Sequence, residues 1–161
     1  MRAPRGPAVA LATGLYISYI PVRFLGQRKW TGAGFLGTIW GVVLLPVVPT
    51  GRGASAAFLL GAVLLSVWLC TSAERELGNH DDPRIILDET VGYWAAIAGL
   101  PRHGPVLVAA FILFRILDAW KLPPYRWLDR LPGGWGIVLD DVGAAVFANL
   151  AVRGLMAWGL F

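Results

Sequence analysis

Between Ala54 and Ala73 the chain carries no charged side chain, over a length close to the ~20 residues that a bilayer's hydrocarbon core requires of a helix. In water such a segment must be buried on every face; in lipid it needs only its own backbone hydrogen bonds. The rest of the chain favours the second environment. Of 161 residues, 57% are hydrophobic and 15% charged, and the mean hydropathy is +0.62, whereas an average soluble domain is roughly a quarter charged. Eight Trp and four Tyr suit the water–lipid interface.

Other apolar stretches flank this one. Pro7–Val22 is uncharged and follows a basic start. No small-residue cleavage site precedes a polar mature region, so it reads as a retained membrane segment rather than a signal peptide. Trp30–Gly51 is uncharged but interrupted by Gly32, Gly34, Gly37, Gly41, Pro46 and Pro49, which predicts a bent or re-entrant helix. Helices are also expected over Thr90–Leu100, Pro105–Lys121 and Ile137–Phe161. Between them lie a polar stretch, "ERELGNHDDPRIILDE", in which Gly78 ends a helix and Asp82-Pro83 makes a turn, then "LPPYR" and a glycine loop, "RLPGGWG". No strand alternation is present. The expected fold is all-α, a compact multi-helix bundle of about six helices, membrane-embedded or membrane-associated. It forms one domain over 1–161, with an apolar part at 1–73 and the chemistry at 74–161.

Charge is divided along the chain. Residues 1–73 hold six basic residues and no acid, and all ten acids fall between Glu74 and Asp141. The basic residues are scattered and form no stripe, which argues against a nucleic-acid partner; anionic lipid headgroups account for the basic N-terminal third. Arg2/Arg5 and Arg23/Arg28/Lys29 flank the first apolar run on both sides, so loop charge does not set an orientation. The single cysteine, Cys70, has no partner for an internal disulfide.

Within "FILFRILDAWK", Arg115, Asp118 and Lys121 recur every three residues on an otherwise apolar helix. Residues three apart share a face, and charge in an apolar setting is costly unless paired or bound. A structural Arg115–Asp118 ion pair is the simplest account. Two adjacent acid pairs point further. Asp88-Glu89 and Asp140-Asp141 each sit near the start of an apolar helix, where a single acid would suffice for the helix dipole. Brought together with Asp118, these carboxylates repel one another unless a divalent cation intervenes. Oxygen-only donors suit Mg²⁺, with Mn²⁺ as the alternative hard ion, and no Cys/His spacing for zinc is present. Arginine grips phosphate oxygens as a fork and lysine acts as a point charge beside them, so Arg115 and Lys121 complete a phosphate-handling site. Walker, GxSxG and Cys-x5-Arg motifs are missing from the sequence.

Three blocks in order, "HDDPRIILDETVGYW", "FRILDAWKLPPYRWLDR" and "GGWGIVLDDV", resemble the signature blocks of the phosphatidylglycerophosphatase A family, over roughly Thr71–Phe161. The resemblance implies an Mg²⁺-dependent phosphatase of phospholipid biosynthesis, releasing phosphate from phosphatidylglycerophosphate at the cytoplasmic face of a bacterial inner membrane. Carried over by position, it implies metal or acidic-site roles for Glu76, Asp81, Asp88, Glu89, Asp118, Asp140 and Asp141, and phosphate contacts from Arg115 and Lys121. Thr38 in "LGTIWG" resembles the threonine of the family's N-terminal Pro-Gly-Thr motif and is a further expected substrate contact. Leu36 replaces that motif's proline, Trp40 stands at a position usually small, Leu122 separates Lys121 from Pro123, and Leu131-Pro132 shorten the loop before the glycines. These departures bear on lipid specificity.

In the expected mechanism Asp88, Glu89, Asp140, Asp141 and Glu76 hold the metal, Arg115 and Lys121 meet the phosphate, and Asp118 or Asp81 directs the attacking water, with His80 a rival base. The partners are a phospholipid and the membrane, with a homo-oligomer left open. A CDP-alcohol phosphotransferase is disfavoured because its long Asp-Gly to Asp motif is not found. A small transporter, or a phosphatase for another phosphorylated lipid or small phosphate ester, remains the alternative.

Overall fold

The structure, a computed structural model, describes residues 6–25, 32–123 and 125–161. Arg2, Arg5, Arg28 and Lys29, expected to flank the first apolar run, lie outside them. Every regular element among the described residues is helical. In chain order these are α1 (Pro7–Ala12), α2 (Tyr19–Leu25), α3 (Ala33–Val43), a 3-10 turn (Leu45–Val47), α4 (Arg52–Leu77), α5 (Leu87–Ala96), α6 (Gly104–Trp120), a 3-10 segment (Tyr125–Arg130) and α7 (Gly134–Ala157).

The short helix α5 is the centre of the bundle, with α3, α4, α6 and α7 packed around it. Nearly all of it is buried, from Asp88 through Ala96, as expected of a helix apolar on most sides. Its polar groups are satisfied by its neighbours. Thr90 donates to the Gly37 carbonyl at 2.9 Å, Trp94 Nε1 to the Gly41 carbonyl at 2.9 Å, and Tyr93 to the Leu107 carbonyl at 3.1 Å. The first two bonds need α3 and α5 in backbone contact. Glycine permits it: a Cβ on Gly37 would lie 2.7 Å from the Ile86 carbonyl, and one on Gly41 3.0 Å from that of Thr90. Small residues four apart let helices approach this closely.

The glycine loop does the same for α7. Gly133 takes φ +62, and Gly134 donates its N–H to Thr71 Oγ1 at 2.8 Å, in a position where a Cβ would strike the Val67 carbonyl. A second apolar cluster, including Val9, Ala12, Val67, Cys70, Ala73, Ile137 and Val138, fills the space between α1, α4 and the start of α7. Gly78 ends α4 in the left-handed conformation, its N–H bonded to the Glu74 carbonyl, as the sequence predicts.

The first apolar run departs from expectation. Pro7–Val22 is not one continuous helix but two short helices separated by tight turns in which Gly14, Leu15 and Tyr16 take φ +59, +58 and +68. The cause is local. Buried Thr13 returns its hydroxyl to the Val9 carbonyl at 2.7 Å and accepts the Tyr16 N–H, competing with helix continuation. The Ala12 carbonyl then accepts the Ile86 N–H, tying the turn to the entrance of α5. Trp30–Gly51 bends as predicted, α3 giving way to the 3-10 turn at Leu45, and Arg102 donates to the Val48 and Pro49 carbonyls beyond it. Both α5 and α7 begin three residues earlier than the sequence indicates. The acid pairs are therefore inside their helices, the second a full turn deep.

Among the described residues two helices are long and apolar enough to cross a membrane, α4 and α7, at about 39 and 36 Å from the helical rise. The first two-thirds of α4 leave Leu60, Leu64 and Leu65 exposed, and α6 leaves Val108, Ile112, Ile116 and Trp120 exposed, a single stripe at four-residue spacing.

Candidate functional site

A cavity of about 1210 Å³ opens where the polar ends of α5, α6 and α7 meet the 80–83 loop and the start of α3. Eight of the chain's ten acids line it: Asp81 and Asp82 from the loop, Asp88 and Glu89 from α5, Asp118 from α6, Asp129 from the 3-10 segment, Asp140 and Asp141 from α7. The fixed cations on its wall are Arg115, Lys121 and Arg126. Asp88 and Asp140, 52 positions apart in the chain, thus face one space.

The deepest part is the most unbalanced. One carboxylate oxygen from each of Asp88, Glu89 and Asp141 lies within 4.8 Å of the others. Asp88 and Asp141 are 6% and 4% exposed, and Asp88 Oδ1, Glu89 Oε2 and Asp141 Oδ2 are buried without a hydrogen-bond partner. Burial, then the neighbouring Glu89, pushes the Asp88 carboxyl well above its ordinary range. Burial lifts Glu89 to about 7, with Arg115 opposing. Orphaned buried acceptors are costly, and three carboxylates that carry one each and also bring oxygens this close offer the donor set of a hard divalent cation. The residues present therefore fit a magnesium ion.

Around this cluster the bases are pinned. Arg115 Nη1 donates to Asp118 Oδ2 at 2.8 Å, the ion pair expected from their spacing, and Gly34 leaves room for its guanidinium and the Glu89 carboxylate side by side, since a Cβ there would meet both groups. Lys121 ends α6 in a left-handed conformation, φ +41, and donates to Asp140 Oδ2 at 2.6 Å with Asp129 Oδ1 at 3.2 Å. Burial works against the Lys121 charge, yet Asp140 more than offsets it and raises the ammonium above its ordinary value. Asp81 takes φ +49 at the cavity wall. Next to it Asp82, 1% exposed, accepts both Nε and Nη2 of Arg84 at 2.7 Å, and the Asn79 amide at 3.1 Å. Arg84 in turn lies over the Tyr19 ring. Burial pushes the Asp82 carboxyl up, but Arg84 and Asn79 outweigh it and hold it below the usual carboxylate range.

Several expected site residues are placed elsewhere. Glu76 is exposed, and its carboxylate lies against Gly6 rather than on the cavity wall. Thr38 is fully buried and donates to the Gly34 carbonyl at 3.0 Å. It, Leu36 and Trp40 lie behind the wall, and α3 reaches the cavity through Ala33, Gly34 and Phe35 instead. His80 lines the rim but is held by Glu74 at 2.6 Å. Sequence reasoning missed Asp129 and Arg126, which the 3-10 segment turns into the cavity, and Asp82, whose role is to fasten the loop. The acid of "WLDR" was the available signal, since it follows Lys121 within one block.

The molecule is thus an all-helical bundle in an apolar scaffold, with acids and bases from distant parts of the chain converging on one cavity and a candidate cation donor set among them. Residues 10–156 match the phosphatidylglycerophosphatase A family, and the chain belongs to that family; it is a phosphatase. It is 36% identical to the phosphatidylglycerophosphatase A of Escherichia coli (strain K12), over 68% of this chain and 74% of the relative. It is likewise 36% identical to that of Haemophilus influenzae, over 81% and 80%. A protein of Bacteroides thetaiotaomicron described as a putative phosphatidylinositol-3-phosphatase is 27% identical over 94% and 95%. No solved structure matches.

Proposed function

We propose that this protein is an Mg²⁺-dependent lipid phosphatase that hydrolyses the phosphomonoester of phosphatidylglycerophosphate, giving phosphatidylglycerol and inorganic phosphate. The observation that carries the metal is the trio of buried carboxylate oxygens without partners, from Asp88, Glu89 and Asp141. Two further features support a lipid substrate. Exposed Phe35 and Trp120 stand on the cavity wall, and Trp120 continues the apolar stripe of α6, so a headgroup can enter the cavity while its acyl chains stay against apolar surface. Two relatives bear this substrate in their names.

In this reading Asp88, Glu89 and Asp141 hold the ion, with Mn²⁺ able to replace it. The bound metal supplies Lewis acidity at the phosphoryl oxygens. Arg115, held by Asp118, donates to the equatorial oxygens, where charge concentrates as the ester P–O bond breaks. Lys121 adds a second positive charge from the α7 side. Asp118 or Asp81 orients the attacking water and takes its proton. Asp118 is bonded to the phosphate-binding arginine, while Asp81 is exposed at the rim. The scaffold lies in a bacterial inner membrane with the cavity at its cytoplasmic surface, α4 and α7 crossing.

The test is phosphate release from phosphatidylglycerophosphate by purified protein in detergent, with Mg²⁺ and with chelator. Release that disappears with chelator and returns with Mg²⁺ supports the reading. Chelator-insensitive release, or full activity in Asp88→Asn, sinks the metal assignment. Phosphatidylinositol 3-phosphate belongs in the same assay, because one relative spanning nearly the whole chain is described as acting on it and because Leu36 and Trp40 depart from the family's N-terminal pattern. Preference for that lipid would replace the substrate while leaving the site intact.

A further inference from the structure

The carboxylates of the cavity fall into two groups that the fold treats differently. Asp88, Glu89 and Asp141 have buried oxygens with no partner. Asp140 and Asp129 are bridged by one ammonium, Lys121 Nζ, at 2.6 and 3.2 Å. That ammonium is not there by default. Lys121 is the cap of α6, its N–H bonded to the Leu117 carbonyl at 3.0 Å, and its backbone sits at φ +41, a region that residues with a Cβ occupy rarely and at some cost. The turn this creates sends the side chain back to α7, 19 positions along the chain. A strained conformation kept at a functional site is the kind that surrounding structure over-determines.

Sites that activate a phosphoryl group with two metals place them about 3.5–4 Å apart, so a second ion needs a carboxylate on the same cavity beside those that hold the first. Asp140, next to Asp141, is such a carboxylate, but its side already contains a cation. A divalent ion seated on Asp140 would stand within a few ångströms of the ammonium, in partly buried surroundings where like charges are poorly screened.

We infer that Lys121 is a built-in cation occupying what would otherwise be a second metal position. The centre therefore takes one divalent ion, on Asp88, Glu89 and Asp141, while Asp140 and Asp129 serve to position the lysine. This rests on the metal reading above and fixes its stoichiometry and its ligands.

Mn²⁺ binding reads this directly. The full-length protein in detergent is titrated with Mn²⁺, free ion being counted by electron paramagnetic resonance and the isotherm checked by calorimetry. Wild type is expected to bind one ion. Asp88→Asn loses that site. Asp140→Asn keeps it, with Kd raised about 10-fold or less, as for a residue outside the immediate ligand set. Lys121→Met, which keeps the chain length without the charge, binds a second ion and shows the exchange-coupled spectrum of a close Mn²⁺ pair. Two ions on the wild type overturn the inference and leave the metal-dependent hydrolase standing; no binding at all overturns both. Lys121→Met that stays at one ion, while folded by circular dichroism, overturns the built-in cation. If that variant does not fold, the contrast between Asp140→Asn and Asp88→Asn decides: equal losses refute the division of the site.

Discussion

Arg115 is the residue where the cavity's cations meet its deepest carboxylates, since it holds Asp118 at 2.8 Å and stands beside Glu89 at Gly34. A guanidinium presents five N–H donors in a rigid fork, so one bond to Asp118 leaves others directed at an incoming phosphate. Lysine provides the charge but not the fork. Arg115→Lys is therefore expected to lower kcat/KM by about 10²-fold, the scale of loss when a reacting group is misplaced by about an ångström, while thermal stability in detergent changes little. An unchanged kcat/KM would mean that Arg115 only braces α6. Asp82 makes a different prediction. Its carboxyl is held below the usual range by Arg84 and Asn79, so the stabilisation it gives is fully present above the unfolded-chain value of ~3.9. It is lost as pH falls through the lower, folded value, because the unfolded chain takes up its proton first. Asp82→Asn leaves the partly buried Arg84 without its counter-ion and is expected to cost about 2 kcal/mol at neutral pH. Melting curves should show the gap between variant and wild type closing below about pH 4; a gap that widens on acidification would contradict the clamp.

At the level of elements, the approach of α3 to α5 carries the site. Glu89 reaches the cavity because Gly34 and Gly37 leave room above it, and a Cβ at Gly37 would face the Ile86 carbonyl at 2.7 Å, a backbone atom that cannot rotate away. Gly37→Ala is expected to destabilise the fold by about 1–3 kcal/mol through overpacking and to lower activity, because α3 must retreat from Glu89 and the cavity wall. Chemical denaturation and phosphate release on the same variant check both. Much of this arrangement was legible. Paired acids inside apolar helices have no cheap structural explanation, so Asp88, Glu89, Asp140 and Asp141 identified themselves, and Arg115–Asp118 followed from helical spacing. Gly78 marked the end of α4. What stayed hidden depends on partners distant in sequence or on turns that a lone glycine marks only weakly. Gly14 takes φ +59 at the break between α1 and α2, but Leu15 and Tyr16 after it adopt positive φ although neither is a turn former, so the length of that turn could not be read. Thr38 looked like a substrate contact because its motif is shared; its hydroxyl is spent on the Gly34 carbonyl instead. Asp129 enters the cavity through a 3-10 segment with no periodicity to betray it.

Over the whole molecule, polarity is concentrated to an unusual degree: eight of ten acids share one cavity, while Leu60, Leu64, Leu65 and Trp68 of α4 stand exposed. Only the second half of α4, Ser66 to Ala73, supplies its buried residues; the first half packs one side, Phe58, Leu59, Ala62 and Val63, against the core, and the bundle's own packing does not account for the leucines left exposed on the other. A bilayer does. Leu64 tests this because it lies near the midpoint of α4, is 50% exposed and belongs to neither core cluster. If α4 spans, Leu64→Arg places a guanidinium near the membrane centre, at an insertion cost of about 3 kcal/mol. If α4 lies against water, the same change is an ordinary surface substitution worth within about 0.5 kcal/mol. The two cases separate by more than 2 kcal/mol, a shift of roughly 50-fold in the partition between inserted and extractable protein at 1.4 kcal/mol per tenfold. Alkaline extraction of membranes from expressing cells reads that partition. Wild type is expected to stay in the pellet and Leu64→Arg to move substantially to the supernatant, whereas identical partitioning of the two would place the exposed face of α4 outside the hydrocarbon and leave only its apolar composition to be explained.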